Sequence, residues 1–159
     1  SAAYRYFDGF QAANDTAIKK MMVRKAISCY EKASELNPEN LDIKSDLGIC
    51  YAQEGSNPMQ GIMMLRQVVA QNPDHEMAQY NLGILSLQSG QLQKAVERFE
   101  KVVKLDPKRT DARFLLAKAY ADLGQTDEAL KNFSILKTEV NDPQVQTEID
   151  SIINQINNH

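Results

Sequence analysis

Three prolines constrain this chain more than any other feature. Pro38, Pro73 and Pro107 stand 35 and 34 residues apart. Each closes a similar phrase: Lys32-Ala33-Ser34-Glu35-Leu36-Asn37-Pro38, Gln67-Val68-Val69-Ala70-Gln71-Asn72-Pro73 and Lys101-Val102-Val103-Lys104-Leu105-Asp106-Pro107. A fixed period of this size marks stacked supersecondary units, none of which can cover its apolar face alone. Aligned on the prolines, small residues recur at Ala26, Gly61, Ala95 and Ala129. Four residues after each comes Tyr30, Leu65, Phe99 or Phe133, and three later Ala33, Val68, Val102 or Leu136. Those spacings lie on one face of a helix. A second stripe precedes the first, reading Leu47-Gly48 with Tyr51, Leu82-Gly83 with Ser86, and Leu116-Ala117 with Tyr120. Gly55, Gly90 and Gly124 lie between the stripes, which predicts a left-handed turn ending the first helix of each unit. Gly48, Gly83 and Ala117 fall where the two helices of a unit cross, where a larger side chain would push the backbones apart. Gly55-Ser56-Asn57-Pro58 reads as a lengthened turn, with Asn57 as N-cap and Pro58 at the first helical position.

These residues resemble the tetratricopeptide repeat, whose unit of about 34 residues carries Leu-Gly, Tyr, Ala, Phe, Ala and Pro in order. The resemblance covers residues 7–143, as repeats 41–75, 76–109 and 110–143 behind a degenerate repeat 7–40. In that first repeat Ala13-Asn14 stands where Leu-Gly belongs, and Met21-Met22 replaces the glycine turn. Residues 16–36 are therefore open to forming one long helix, with Asn14-Asp15 as its stop. Ser86 stands where Tyr51 and Tyr120 stand in the neighbouring repeats. After Pro143 the pattern changes: Val145, Ile149, Ile152, Ile153 and Ile156 make one apolar stripe, with Gln144, Gln146, Glu148 and Asp150 turned away. This predicts a helix over 143–157, capped by Asp142, that covers the last repeat or, alternatively, dimerises. The resemblance implies an all-α fold, a right-handed superhelical array of antiparallel helix pairs forming a single domain over 1–159. Leu-Gly-Ile-Cys and Leu-Gly-Ile-Leu with Asn-Pro and Asp-Pro turns look like the bacterial members.

Reactive chemistry is hard to find in this chain. His75 in a turn and His159 at the end have no companion at metal-ligand spacing, and no metal or other cofactor is expected. Cys29 and Cys50 are two thiols in 159 residues, which is not a disulfide framework. The glycines are isolated, so no phosphate-cradling loop is formed. Glu97, Glu100 and Lys104 read as a solvated face with a Glu100–Lys104 pair. Met21-Met22 and Met63-Met64 read as core filling rather than an adaptable surface. No catalytic residue is assigned, and the chain reads as a non-enzyme. Its net charge is −3, from 18 basic and 21 acidic residues. Lys19-Lys20 with Arg24-Lys25 is a basic cluster without interleaved aromatics, so nucleic acid is not the expected partner.

The resemblance places partners in a concave groove lined by the first helix of each repeat. The positions that fall there include Asp46, Ile49, Tyr80, Asn81, Ile84, Leu87, Phe114 and Lys118. Their middle is apolar, and two readings stay open: a strip that binds a partner, or side chains packed against the neighbouring repeat. The family's clamp for acidic chaperone tails is missing. Its positions hold Ser45, Ile49, Asn81, Asp111 and Leu115, of which only Asn81 matches. The expected partner is a protein or peptide that is apolar with flanking basic residues. The function implied is an interaction scaffold, the alternative being an accessory subunit, periplasmic or membrane-anchored, that assists assembly of a bacterial complex such as the cytochrome c maturation machinery. Self-association through the groove, or through Tyr4, Tyr6, Phe7 and Phe10, is a further expectation. The start at Ser1 leaves cytoplasmic and periplasmic settings open, with any anchor upstream.

Overall fold

The glycine turns and proline phrases divide the chain into helices where the periodicity places them. The computed structural model describes residues 16–158, and among these there are eight helices and no strand. They are α1 (Thr16–Leu36), α2 (Leu41–Glu54), α3 (Pro58–Gln71), α4 (Glu76–Gln88), α5 (Leu92–Leu105), α6 (Thr110–Asp122), α7 (Thr126–Glu139) and α8 (Pro143–Asn157). Helix α1 runs unbroken through Met21-Met22, as the missing glycine turn allows. The expectations for Asn14-Asp15, Tyr4, Tyr6, Phe7 and Phe10 lie outside the described residues. No described helix is long and apolar enough to cross a membrane.

The turns follow from identifiable residues. Asn40 caps α2, its side chain accepting from the Asp42 and Ile43 amides at 2.9 and 3.1 Å. Asn57 caps α3 with Pro58 at its first position, and Asp142 caps α8, accepting from the Gln144 amide at 2.9 Å. Among the described residues, Gly55, Gly90 and Gly124 are those with positive φ, at 86°, 71° and 75°. At the last two, the next residue bonds back five positions, Gln91 to the Ser86 carbonyl and Gln125 to the Tyr120 carbonyl. That is the 6→1 closure of a Schellman turn, which satisfies carbonyls left open at a helix end.

The chain forms two compact units that divide between Ala78 and Gln79. In the first, α1 packs on α2 and α2 on α3. Its core holds Val23, Ala26, Tyr30, Leu47 and Cys50, with Met64 packed against them. The α2–α3 crossing is made by Gly48 and Gly61. In the second unit α6 packs on α5 and on α7, and α8 on α7. One cluster holds Ala95, Val96, Phe99, Val102, Leu116 and Tyr120, and another joins Ala117, Phe133 and Leu136 to Ile149 of α8. Gly83 faces the Phe99 ring, so a side chain at 83 would collide with it.

The thiols are both free, as expected, and burial pushes Cys50 up to about 12, which makes it inert. Other expectations need correction. Met22 and Met64 are partly buried, but Met21 and Met63 are 56% and 54% exposed, so core filling fails for one methionine of each pair. Glu100 accepts the Tyr120 hydroxyl, and Lys104 makes no ion pair among the described residues. The polar side of α8 is not wholly turned away. Gln146 donates to the Val140 and Lys137 carbonyls at 2.6 and 3.4 Å, and Asp150 pairs with Lys137 at 2.6 Å. These bonds close the end of α7.

Candidate functional site

The second unit offers an open apolar trough between α6 and α8. It consists of two clefts of about 440 and 460 Å³. Both share Phe114 and Ile152. Helical spacing explains which α6 residues reach it. Asp111, Phe114, Leu115, Lys118, Ala121 and Asp122 recur at three- and four-residue steps, so they share one face. Opposite them stand Val145, Glu148 and Ile149 in the first cleft, and Gln155 and Ile156 in the second. Phe114 is 36% exposed and rests edge-on against Phe133, with ring centroids 5.9 Å apart.

Tyr80 closes the first cleft. Its ring meets Phe99 edge-on at 5.8 Å, and the Arg109 guanidinium lies 4.0 Å over its face. Arg109 also pairs with Asp111 at 3.0 Å. Burial, and after it the Asp111 carboxylate, pushes the Tyr80 hydroxyl up to about 12, so it stays a neutral donor. Glu148 and Asp122 have no ion-pair partner among the described residues.

The eight positions expected to line a groove separate into groups. Tyr80, Phe114 and Lys118 come together around the trough. Ile84 and Leu87 are half-buried, pack on the Phe99 cluster and line neither cleft. Ile49 and Asn81 are only 4% and 7% exposed, so neither is a solvent-facing position as expected. Asp46 belongs to the first unit and is half-buried, its carboxylate accepting the Tyr30 hydroxyl. Sequence reasoning missed the α8 wall, because it assigned the stripe through Val145, Ile149 and Ile152 to covering the last repeat or to dimerising. The available signal was the length of that stripe, of which only Ile149 is fully buried.

Burial raises the Asp46 carboxyl above its ordinary range, and Asp42 adds to this, against the Tyr30 bond and His75. A carboxyl whose folded pKa is raised favours the fold most when protonated. Its contribution is present below the unfolded value and is lost as pH rises through the folded one. Asp46→Asn keeps an acceptor for Tyr30 without the charge. Thermal melts at neutral pH should therefore rise by a few degrees, and the gain should vanish near pH 3 (about one unit below the unfolded carboxylate value). A fall in melting temperature at neutral pH would refute it.

His75 is buried and caps α4, its Nδ1 accepting the Ala78 amide at 3.2 Å. Its Nε2 lies 3.0 Å from Asp42 Oδ1, without hydrogen-bond alignment. Among the described residues no three His, Cys, Asp or Glu side chains converge as a metal site would need.

Comparison with known families agrees with the geometry. Three models of the tetratricopeptide repeat match residues 16–40, 54–96 and 86–147. The chain belongs to the tetratricopeptide repeat family. The BBSome complex member BBS4 of Bos taurus is 26% identical over 114 residues, which is 69% of this chain and 21% of that protein. Superkiller protein 3 of Schizosaccharomyces pombe is 29% identical over 119 residues, 71% of this chain and 8% of that protein. The tetratricopeptide chain thus spans about a fifth or less of these curated relatives. Among solved structures, MamA (AMB-1) superposes with a TM-score of 0.68 at 25% identity, covering 99% of this chain and 84% of that one. YrrB, described as a tetratricopeptide protein with an unusual peptide-binding site, superposes with a TM-score of 0.65 at 23% identity, covering 94% and 75%.

Proposed function

We propose that this protein is a non-catalytic interaction scaffold that holds a protein or peptide segment against the α6–α8 trough. One observation carries the reading: Phe114, an aromatic side chain 36% exposed, stands between two apolar clefts. An exposed apolar surface shaped as a trough, rather than scattered singly, is the usual mark of a partner site. The peptide-binding description of YrrB supports the same use of a shared fold. Tyr80 and Lys118 contribute the polar fringe, and the rim of Asp111, Asp122 and Glu148, only partly offset by Arg109 and Lys118, favours a partner whose apolar residues are flanked by basic ones. The same carboxylates repel acidic tails.

Phe114→Gln tests this. The substitution keeps the helix and forfeits one edge-on aromatic contact, about 1 kcal/mol, so melting should fall by only a few degrees. Affinity for a partner recovered on the wild-type chain, measured by calorimetry, should drop at least about tenfold, the behaviour of an interface hot spot. Unchanged affinity with normal folding would remove Phe114, and the trough with it, from the function.

A further inference from the structure

We infer that the occupant of the trough is an amphipathic helix with two large apolar anchors seven residues apart, and a basic residue beside the anchor that enters the first cleft. This rests on the trough being a partner site, and it adds the shape and charge of what binds. The α6 residues that line the two clefts have mean positions about six residues apart, so the two linings are offset by roughly 9 Å along that helix at ~1.5 Å per residue. On a helix, residues seven apart share a face and are about 10.5 Å apart. On an extended strand, same-face residues recur at roughly 6.7 Å and then 13 Å, which miss the spacing on either side. Phe114 rises between the clefts, so the turn between the anchors must present a small side chain there.

The charge follows from the rims. The first cleft carries Asp111 and Glu148. Arg109 already pairs with Asp111, which leaves Glu148 to be answered by the partner. The second cleft carries Lys118 and Asp122, which offset each other. Helix α8 is therefore a wall of the site as well as a cover for α7.

A library of displayed random peptides about 16 residues long, some four helical turns, is selected on the full chain. Parallel selections use Glu148→Lys and Phe114→Gln. Glu148 is exposed and makes no ion pair among the described residues, so its variant should fold, which circular dichroism checks. The expected outcome is enrichment of apolar pairs seven apart, small residues between them, and Lys or Arg beside one anchor. On Glu148→Lys that flanking preference should turn to Asp or Glu. A selected wild-type peptide should bind this variant at least about tenfold more weakly. Enrichment of apolar residues two apart would overturn the helix and leave the trough standing. A flanking preference that ignores Glu148→Lys would overturn the charge assignment alone. Peptides that bind Phe114→Gln as well as the wild type, or no enrichment at all, would overturn the trough and this inference together.

Discussion

Gly61→Ala should lower the melting temperature of the first unit by on the order of 10–20 °C, converting about 3 kcal/mol at the scale of a unit this small. A methyl group at 61 would sit 2.2 Å from the Gly48 carbonyl oxygen and 2.5 Å from the Ala52 amide nitrogen. Both are backbone atoms of α2, so no rotamer change can relieve the clash. The helices must separate, and the dispersion contacts of a close-packed crossing are lost along with them. Alanine is the better helix former by about 1 kcal/mol, which offsets only part of an overpacking cost at the upper end of the usual range. Neighbouring glycines grade the effect. At Gly48 an added methyl meets Leu65 Cγ and the Gly61 carbonyl at 3.1 Å, a contact that small shifts absorb. At Gly55 it meets nothing within 4 Å, and the cost comes from φ of 86° alone, about 1–2 kcal/mol. Scanning calorimetry should rank Gly61→Ala well below both. A Gly61→Ala protein that melts with the wild type would mean that the crossing is not as close as described.

That ranking was partly legible in the sequence. The crossing residues read Gly48/Gly61, Gly83/Ala95 and Ala117/Ala129, a graded series in which the first pair permits the closest approach. Helix boundaries were legible because caps and glycines act locally: Asn57-Pro58, Asp142-Pro143 and the three positive-φ glycines each fix their own turn. The site was less legible, because exposure depends on partners distant in sequence. Tyr80 and Phe114 occupy equivalent positions of successive repeats when judged by spacing alone. One is half-buried on the Phe99 cluster and the other stands open between clefts. Polar links between helices were also missed, although they carry a spacing signal. Tyr51 reaches Glu31 and Tyr120 reaches Glu100, each twenty residues back. Gln79 meets Arg98 and Arg113 meets Asn132, each nineteen residues on. A single repeat unit with its pattern of apolar residues gives no reason to look for pairs at those intervals.

The Arg113 link carries the second large effect. Arg113 is 8% exposed, and its guanidinium is spread over three partners. Nη2 donates to the Pro107 carbonyl at 2.7 Å, Nε to Glu139 Oε2 at 3.2 Å and Nη1 to Asn132 Oδ1 at 3.5 Å. It thus ties the turn before α6 to both the middle and the end of α7. Arg113→Met retains the apolar stem and removes every donor. The Pro107 carbonyl and the Asn132 side chain are then left short of a partner, and Glu139 loses its counter-charge. Breaking a buried pair from one side costs about 3–5 kcal/mol. Glu139 is still 26% exposed and can rehydrate, which places the expected loss near 3 kcal/mol. The neighbouring repeat shows how the same contact is made the other way round. There the first helix carries the amide, Gln79, and the second carries the guanidinium, Arg98, joined at 2.6 Å. The exchange Arg113→Gln with Asn132→Arg copies that arrangement. It should recover about half of the loss in urea denaturation, because the link between α6 and α7 is rebuilt while the bonds to Pro107 and Glu139 are not. If Arg113→Met proves neutral, or the exchange is no more stable than Arg113→Gln alone, the interchange of roles between repeats is a coincidence of sequence and carries no energy.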